Sequence, residues 1–185
     1  MYFFAMMKLT CSLLSILALS FATFSKAEET ETINVSEFVF EFSSPWVKQQ
    51  VTSQMRAGQL TYDHEDEKLK DVDLVFFYFG ESNGGGTQAN IDRWVGQFQG
   101  EPEKKIETKE LGDREVTFLT ATGTFLESSG GPFSGNKTPR EDYTMLAAIL
   151  PSDKGWVFLK LTGPSASVAA MKDAFIAVAE SPFKE

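Results

Sequence analysis

"YTMLAAILPSDKGWVFLKLTG", Tyr143 to Gly163, sets two apolar runs around the polar turn Pro151-Ser152-Asp153-Lys154. Runs this short, bounded by turn residues, read as strands, and the short turn joins them as a hairpin. Both arms carry apolar residues at odd and even positions alike. A strand with one wet face alternates apolar and polar residues, whereas a strand covered above and below does not. "LVFFYF", Leu74 to Phe79, is six apolar residues in a row and demands the same cover. Together these stretches predict a sheet in the middle of the molecule with packing on both faces.

Working outward, "EKKIETKEL" and "REVTFLTATGTFL" flank Gly112-Asp113 and predict a second hairpin, its first arm polar enough to be an edge strand. "MRAGQLTY", Met55 to Tyr62, is a weaker strand, and "EFVFEF" alternates Phe38, Phe40 and Phe42 with Val39 and Glu41. Ile91, Trp94, Val95 and Phe98 fall at i, i+3, i+4 and i+7, one face of a helix with Thr87 as its N-cap. Gly96, inside that pattern, costs about 1 kcal/mol relative to alanine. Val168, Met171, Phe175 and Val178 give a second helical face, starting near Ser165. The expected fold is α+β: a three-layer α/β/α sandwich with a mostly antiparallel sheet of about six to seven strands. One helix follows the second core strand and the other closes the chain.

The first 27 residues read as a secretory signal peptide. Lys8 precedes an apolar run, and Ser25-Lys26-Ala27 offers small residues at the −3 and −1 positions of a cleavage site. The charge-poor start "MYFFAM" makes Met6 or Met7 an alternative initiator. Cleavage after Ala27 leaves 158 residues, enough for one domain with its own core. Residues 28–36 then read as a flexible lead and 37–185 as the single globular domain, with the mature chain periplasmic or secreted and not stably inserted in a membrane.

Cys11 leaves with the signal, so disulfides, thiolate metal sites and cysteine nucleophiles are excluded from the mature chain. Two lysines and no acid leave as well, and the net charge of −9 becomes −11. A surface so acidic repels nucleic acid and anionic lipid.

The wording of "DLVFFYFG", "GGGTQANIDRWVGQF" and "GWVFLKLTGPSASVAAMKDAF" resembles uncharacterised exported bacterial proteins, and the order of elements from Phe38 to Phe183 resembles the PsbP-like fold. That fold occurs in an extrinsic photosystem II subunit, a nuclear Ran-binding protein and assorted secreted bacterial proteins. The resemblance implies a non-enzymatic binding or assembly module and brings no active-site motif with it.

Three stretches invite chemistry. "GESNGGGT", Gly80 to Thr87, matches a phosphate loop at Gly80, Gly85 and Thr87, but Gly86 stands where the phosphate-binding lysine belongs. Nucleotide binding is therefore not expected. A flexible strand-to-helix turn is the plainer reading, and contact with a small anion through bare backbone N–H groups the functional one. "DHEDE" around His64, the only histidine, groups Asp63, Glu65, Asp66 and Glu67; it lacks the glycine of a calcium loop, and one histidine is too few for zinc. It reads as a solvated acidic loop rather than a Ca²⁺ site. "ESSGGPFSGNKTPRED", Glu127 to Asp142, reads as a long irregular loop carrying Phe133, Asn136, Lys137 and Arg140.

If both loops share one end of the sheet, Asn83, Gly85, Gly86, Thr87, Phe133, Asn136 and Arg140 form a recognition surface. Trp94 and Trp156 read as core, and Trp46, after Pro45, as the tryptophan to test for exposure. No cofactor or metal is expected. The function so reached is an exported binding module for an envelope protein or a small molecule. The alternative is a carboxylate-based hydrolase of envelope or extracellular glycans, with Glu81 and Glu127 facing across a cleft.

Overall fold

A computed structural model describes residues 29–81, 84–128 and 136–184. Their strands are β1 (Glu31–Val35), β2 (Phe38–Phe42), β3 (Trp46–Lys48), β4 (Gly58–Tyr62), β5 (Val72–Tyr78), β6 (Glu103–Leu111), β7 (Arg114–Ser128), β8 (Lys137–Leu150) and β9 (Val157–Pro164). Helix α1 (Thr87–Val95) lies between β5 and β6, and α2 (Ser165–Glu180) ends in a single 3₁₀ turn, Ser181–Phe183. No helix among the described residues is long and apolar enough to cross a membrane.

The fold is α+β, with a seven-stranded sheet in the order β3-β4-β5-β9-β8-β7-β6 whose neighbours all pair antiparallel. The expected sheet is present, and its expected edge strand β6 is the edge. β1 and β2 stand apart as a two-stranded sheet. From β5, third in the order, the chain crosses through α1 to the far edge. It then meanders back through β6, β7 and β8, so that β9 closes against β5.

β8 shows why the paired strands lack alternation. Met145, Ala147 and Ile149 belong to one buried cluster, and Leu146, Ala148 and Leu150 to another. Successive side chains point to opposite faces of a strand, so each face has its own core. Ile91, Trp94 and Phe98 from α1 and the turn after it cover the first. Val168, Met171, Phe175 and Val178 of α2, with Phe38, Phe40 and Phe42 of β2, cover the second.

The structure corrects four details. Within residues 28–36, read as flexible, Glu31–Val35 is a strand; Ile33 and Val35 bury themselves over the sheet, where Ile33 Cδ1 takes the space a Cβ on Gly58 would need. Two buried residues in a polar five-residue stretch are a weak sequence signal. Thr87 is not the N-cap of α1: Gly86 holds that position, without a side-chain cap, and Thr87 is already helical. Gly96 does not interrupt the helix but ends it, its N–H donating to Asp92 O and the next N–H, of Gln97, to Trp94 O.

The fourth correction is at the two ends of the stretch from Glu127 to Asp142, which are strand and not loop. β7 runs to Ser128 and β8 starts at Lys137, paired through Phe125↔Arg140, Leu126↔Pro139, Glu127↔Thr138 and Ser128↔Lys137. Backbone ladders continue past the core whatever the side chains are, and polar arms leave no apolar pattern to read. A bulge sets Glu141 and Asp142 opposite Thr124, with Asp142 at φ +53°.

Candidate functional site

The register decides where the expected site residues lie. The last residue of β5, Tyr78, pairs with Val157, which pairs with Leu150 at the end of β8. Gly85, Gly86 and Thr87 follow β5 at that end of the sheet. Asn136 and Arg140 lie at the opposite end, where β8 begins beside the end of β7. The five described members therefore do not form one surface; Asn83 and Phe133 lie outside the described residues. The physical reason is plain: consecutive antiparallel strands place successive turns at alternate ends.

The same register removes the proposed carboxylate pair. Glu81 follows Tyr78 at one end, while Glu127 pairs with Thr138, twelve residues along β8 from Leu150. At roughly 3.3 Å per residue that is about 40 Å of strand contour, against the roughly 5 to 9.5 Å a glycosidase needs. Glu127 is occupied besides: its Oε2 accepts from Arg140 Nη2 at 2.7 Å and Nε at 2.9 Å.

The glycine loop is built by packing. A Cβ on Gly84 would lie 2.9 Å from Phe158 Cζ. Gly155, at φ +96°, presses so close that a Cβ would meet Gly80 O at 2.5 Å. Buried Asn90 holds the loop to α1, donating from Nδ2 to Gly84 O at 2.8 Å and Gly86 O at 3.0 Å, while its Oδ1 accepts from Arg93. Replacing Asn90 by alanine takes the side-chain donor from Gly84 O, while Gly86 O keeps the residue-90 backbone N–H at 3.2 Å, and at about 1–3 kcal/mol for one unsatisfied group we expect a loss of about 1–3 kcal/mol of stability by urea titration.

Of the other signalled residues, Trp46 is buried at 5% exposure, its ring edge-on to Tyr62 at 4.9 Å. Trp94 is core, and Trp156 is partly buried beside Phe158. His64 rests against Tyr62, and Asp66 Oδ1 accepts from Lys68 N–H at 3.0 Å. Among the described residues no three His, Cys, Asp or Glu converge as metal ligands.

What the sequence reading missed lies on the α1 face. Nine residues of α1 cover β7, β8 and part of β9 but leave the β5 side open. The result is a cleft of about 430 Å³ lined by Met55, Phe77, Phe79, Arg93, Trp94, Gln97, Phe158 and Lys160. Its walls are aromatic: Phe77 stacks near Phe79 with centroids 6.2 Å apart, and Phe158 meets Phe79 at 6.0 Å and Trp94 edge-on at 6.2 Å. A second hollow shares Met55 and Phe77 and extends toward Arg56 and Gln59.

Lys160 is the anomaly in this wall. It sits on β9, fourth of the seven strands, between Val75 of β5 and Ala147 of β8. Its Nζ donates to Gln97 Oε1 at 2.5 Å and lies 5.7 Å from the Phe125 ring centre. Burial pushes its amine down from the ordinary 10.5 to about 8, and the Arg93 guanidinium pushes the same way. Among the described residues neither Lys160 nor Arg93 forms an ion pair. The signal stands in the sequence: "FLKLT" puts Lys160 on the same face as Phe158, in the middle of an apolar strand.

No family model matches this chain, and no curated protein matches it. Solved structures do. The chain is similar in fold to PsbP and LpqN. Cyanobacterial PsbP from Synechocystis sp. PCC 6803 is 13% identical, with a TM-score of 0.48 over 88% of this chain and 96% of that one. LpqN, involved in cell envelope biogenesis in Mycobacterium tuberculosis, is 12% identical, with a TM-score of 0.49 over 85% of this chain and 84% of that one. A Pseudomonas aeruginosa protein of unknown function is 9% identical, with a TM-score of 0.47 over 84% and 97%.

Proposed function

We propose that the protein is an exported binding module, working in the periplasm or outside the cell, that takes a small ligand into the aromatic cleft and catalyses nothing there. In this reading the layers on either side of the sheet are the frame of a three-layer sandwich, and the incomplete cover by α1 is the functional feature. The carrying observation is the cleft itself: four aromatic side chains, Phe77, Phe79, Trp94 and Phe158, with two cations at their margin. An apolar concavity with few convergent polar groups is the usual form of a small-molecule site. Export rests on the signal-like pattern of the first 27 residues. Among the described residues no carboxylate lines the cleft to partner Lys160 in acid–base work.

Native mass spectrometry of protein isolated from its own cells tests this. The expected result is an added small-molecule mass that vanishes in denaturing spectra. It should persist in Ile106→Ala, an exposed change on the β6 edge. It should be lost or weakened about tenfold or more in Phe77→Ala, since an aromatic anchor in a pocket is worth about 1.4 kcal/mol or more. A wild-type protein that neither retains a mass nor takes up any aromatic compound would sink the proposal.

A further inference from the structure

Resting on that reading, we infer that the ligand is a monocarboxylate amphiphile: its apolar body lies against Phe77, Phe79 and Trp94, and its carboxylate supplies the countercharge that partly buried Lys160 lacks, with exposed Arg93 on the rim of the same cleft.

Charges withdrawn from water are normally paired, because desolvation of a lone ion is costly. Lys160 has an amide oxygen and a ring face, which answer part of its charge, but no carboxylate among the described residues pairs with it. Around it, α1 contributes Arg93, a second cation, and its C-terminal turn the neutral Gln97; β5 and β8 contribute Val75 and Ala147, and β7 the ring of Phe125. None of these is an acid. The fork of Arg93 keeps donors beyond the one given to Asn90 and matches the two oxygens of a carboxylate. A single negative charge is favoured over a dianion, since one partly buried ammonium is to be answered and each extra charge must be stripped of water. The net charge of −9 argues against anionic surfaces and polymers, leaving anions small enough to enter a cleft of about 430 Å³.

Binding is then linked to a proton. With the amine at about 8 in the empty cleft, an arriving anion draws a proton onto Lys160 when the pH is near 8. The probes are 2-naphthoate and its uncharged counterpart 2-naphthamide, titrated calorimetrically into the full mature protein in two buffers of different ionisation heat. At pH 7 the acid should bind about tenfold or more tighter than the amide, the size of a charge-assisted contact. At pH 8 its binding should take up about half a proton.

Lys160→Met should lose both the preference and the uptake. Lys160→Arg should keep the preference and lose the uptake, because arginine stays charged. Equal affinity for acid and amide, or a preference that survives in Lys160→Met, overturns the inference while the cleft remains a binding site. Failure of both probes to bind overturns the inference and the binding-module reading together.

Discussion

Replacing Lys160 by methionine is expected to stabilise the folded protein by about 1–2 kcal/mol at pH 7, an unusual sign for a substitution on the central strand. The amine titrates at about 8 in the native state against an ordinary 10.5. Below pH 8 both folded and unfolded chains hold the proton, and the native state carries the full cost of the desolvated charge. Between about 8 and 10.5 the native state releases its proton while the unfolded chain still holds one. The unfolded state then binds more protons, so stability rises with pH across this window. A tenfold weakening of proton affinity on folding corresponds to about 1.4 kcal/mol, which sets an upper bound of roughly 3 kcal/mol on the gain.

The lost Gln97 hydrogen bond and the Phe125 contact remove about 1 kcal/mol of that gain. Methionine fills a similar volume and adapts to irregular gaps. Urea titrations at pH 7 and pH 10 check the claim. The variant should lead at pH 7, and its lead should shrink by pH 10. A variant less stable than wild type at pH 7 would mean that the ammonium is well satisfied where it stands, and the cleft would lose its claim to want an anion. Stability given up at one residue for a poised charge is the usual mark of a binding site.

The sequence foretold α2 down to its buried face, because Val168, Met171, Phe175 and Val178 obey one period and meet one surface. It also foretold the covered strands, since Met145 to Leu150 are apolar without alternation and only a two-faced core uses that pattern. It misjudged the β7–β8 arm, where backbone pairing holds Thr138 and Arg140 in a ladder and the polar side chains stand exposed. Glycines misled it as well. Gly84, in the loop read as a flexible turn, is a close approach to Phe158, and Gly155 is one to Gly80, which only tertiary structure reveals. The cleft was least legible of all. It arises because a nine-residue helix is too small for the sheet it covers, and periodicity does not report how much of a sheet a helix leaves bare. Lys160 was in plain view but hidden by its neighbours, one cation averaged into an apolar run.

Phe40→Ala is expected to cost about 3–5 kcal/mol, the range for a fully buried aromatic whose cavity cannot collapse. Phe40 is 0% exposed and meets Phe76 of β5 edge-on at 5.0 Å and Phe38 at 6.0 Å. It stands on β2, outside the seven-stranded sheet, so its loss tests whether the β1–β2 hairpin belongs to the core or merely rests on it. Two contacts argue that it belongs. Ser181 Oγ accepts from Glu41 N–H at 2.8 Å and donates to Val178 O at 2.7 Å, tying β2 to the end of α2. Glu37 and Arg114 pair at 2.9 Å, tying the hairpin to the start of β7. Against a total stability of about 5–15 kcal/mol, a loss of this size moves the urea midpoint far, and Val39→Ala on the exposed side of the same strand should move it by about 0.5 kcal/mol or less. If instead both substitutions have the same small effect, the hairpin is a loosely held lead, and one face of the central sheet depends on α2 alone for its cover.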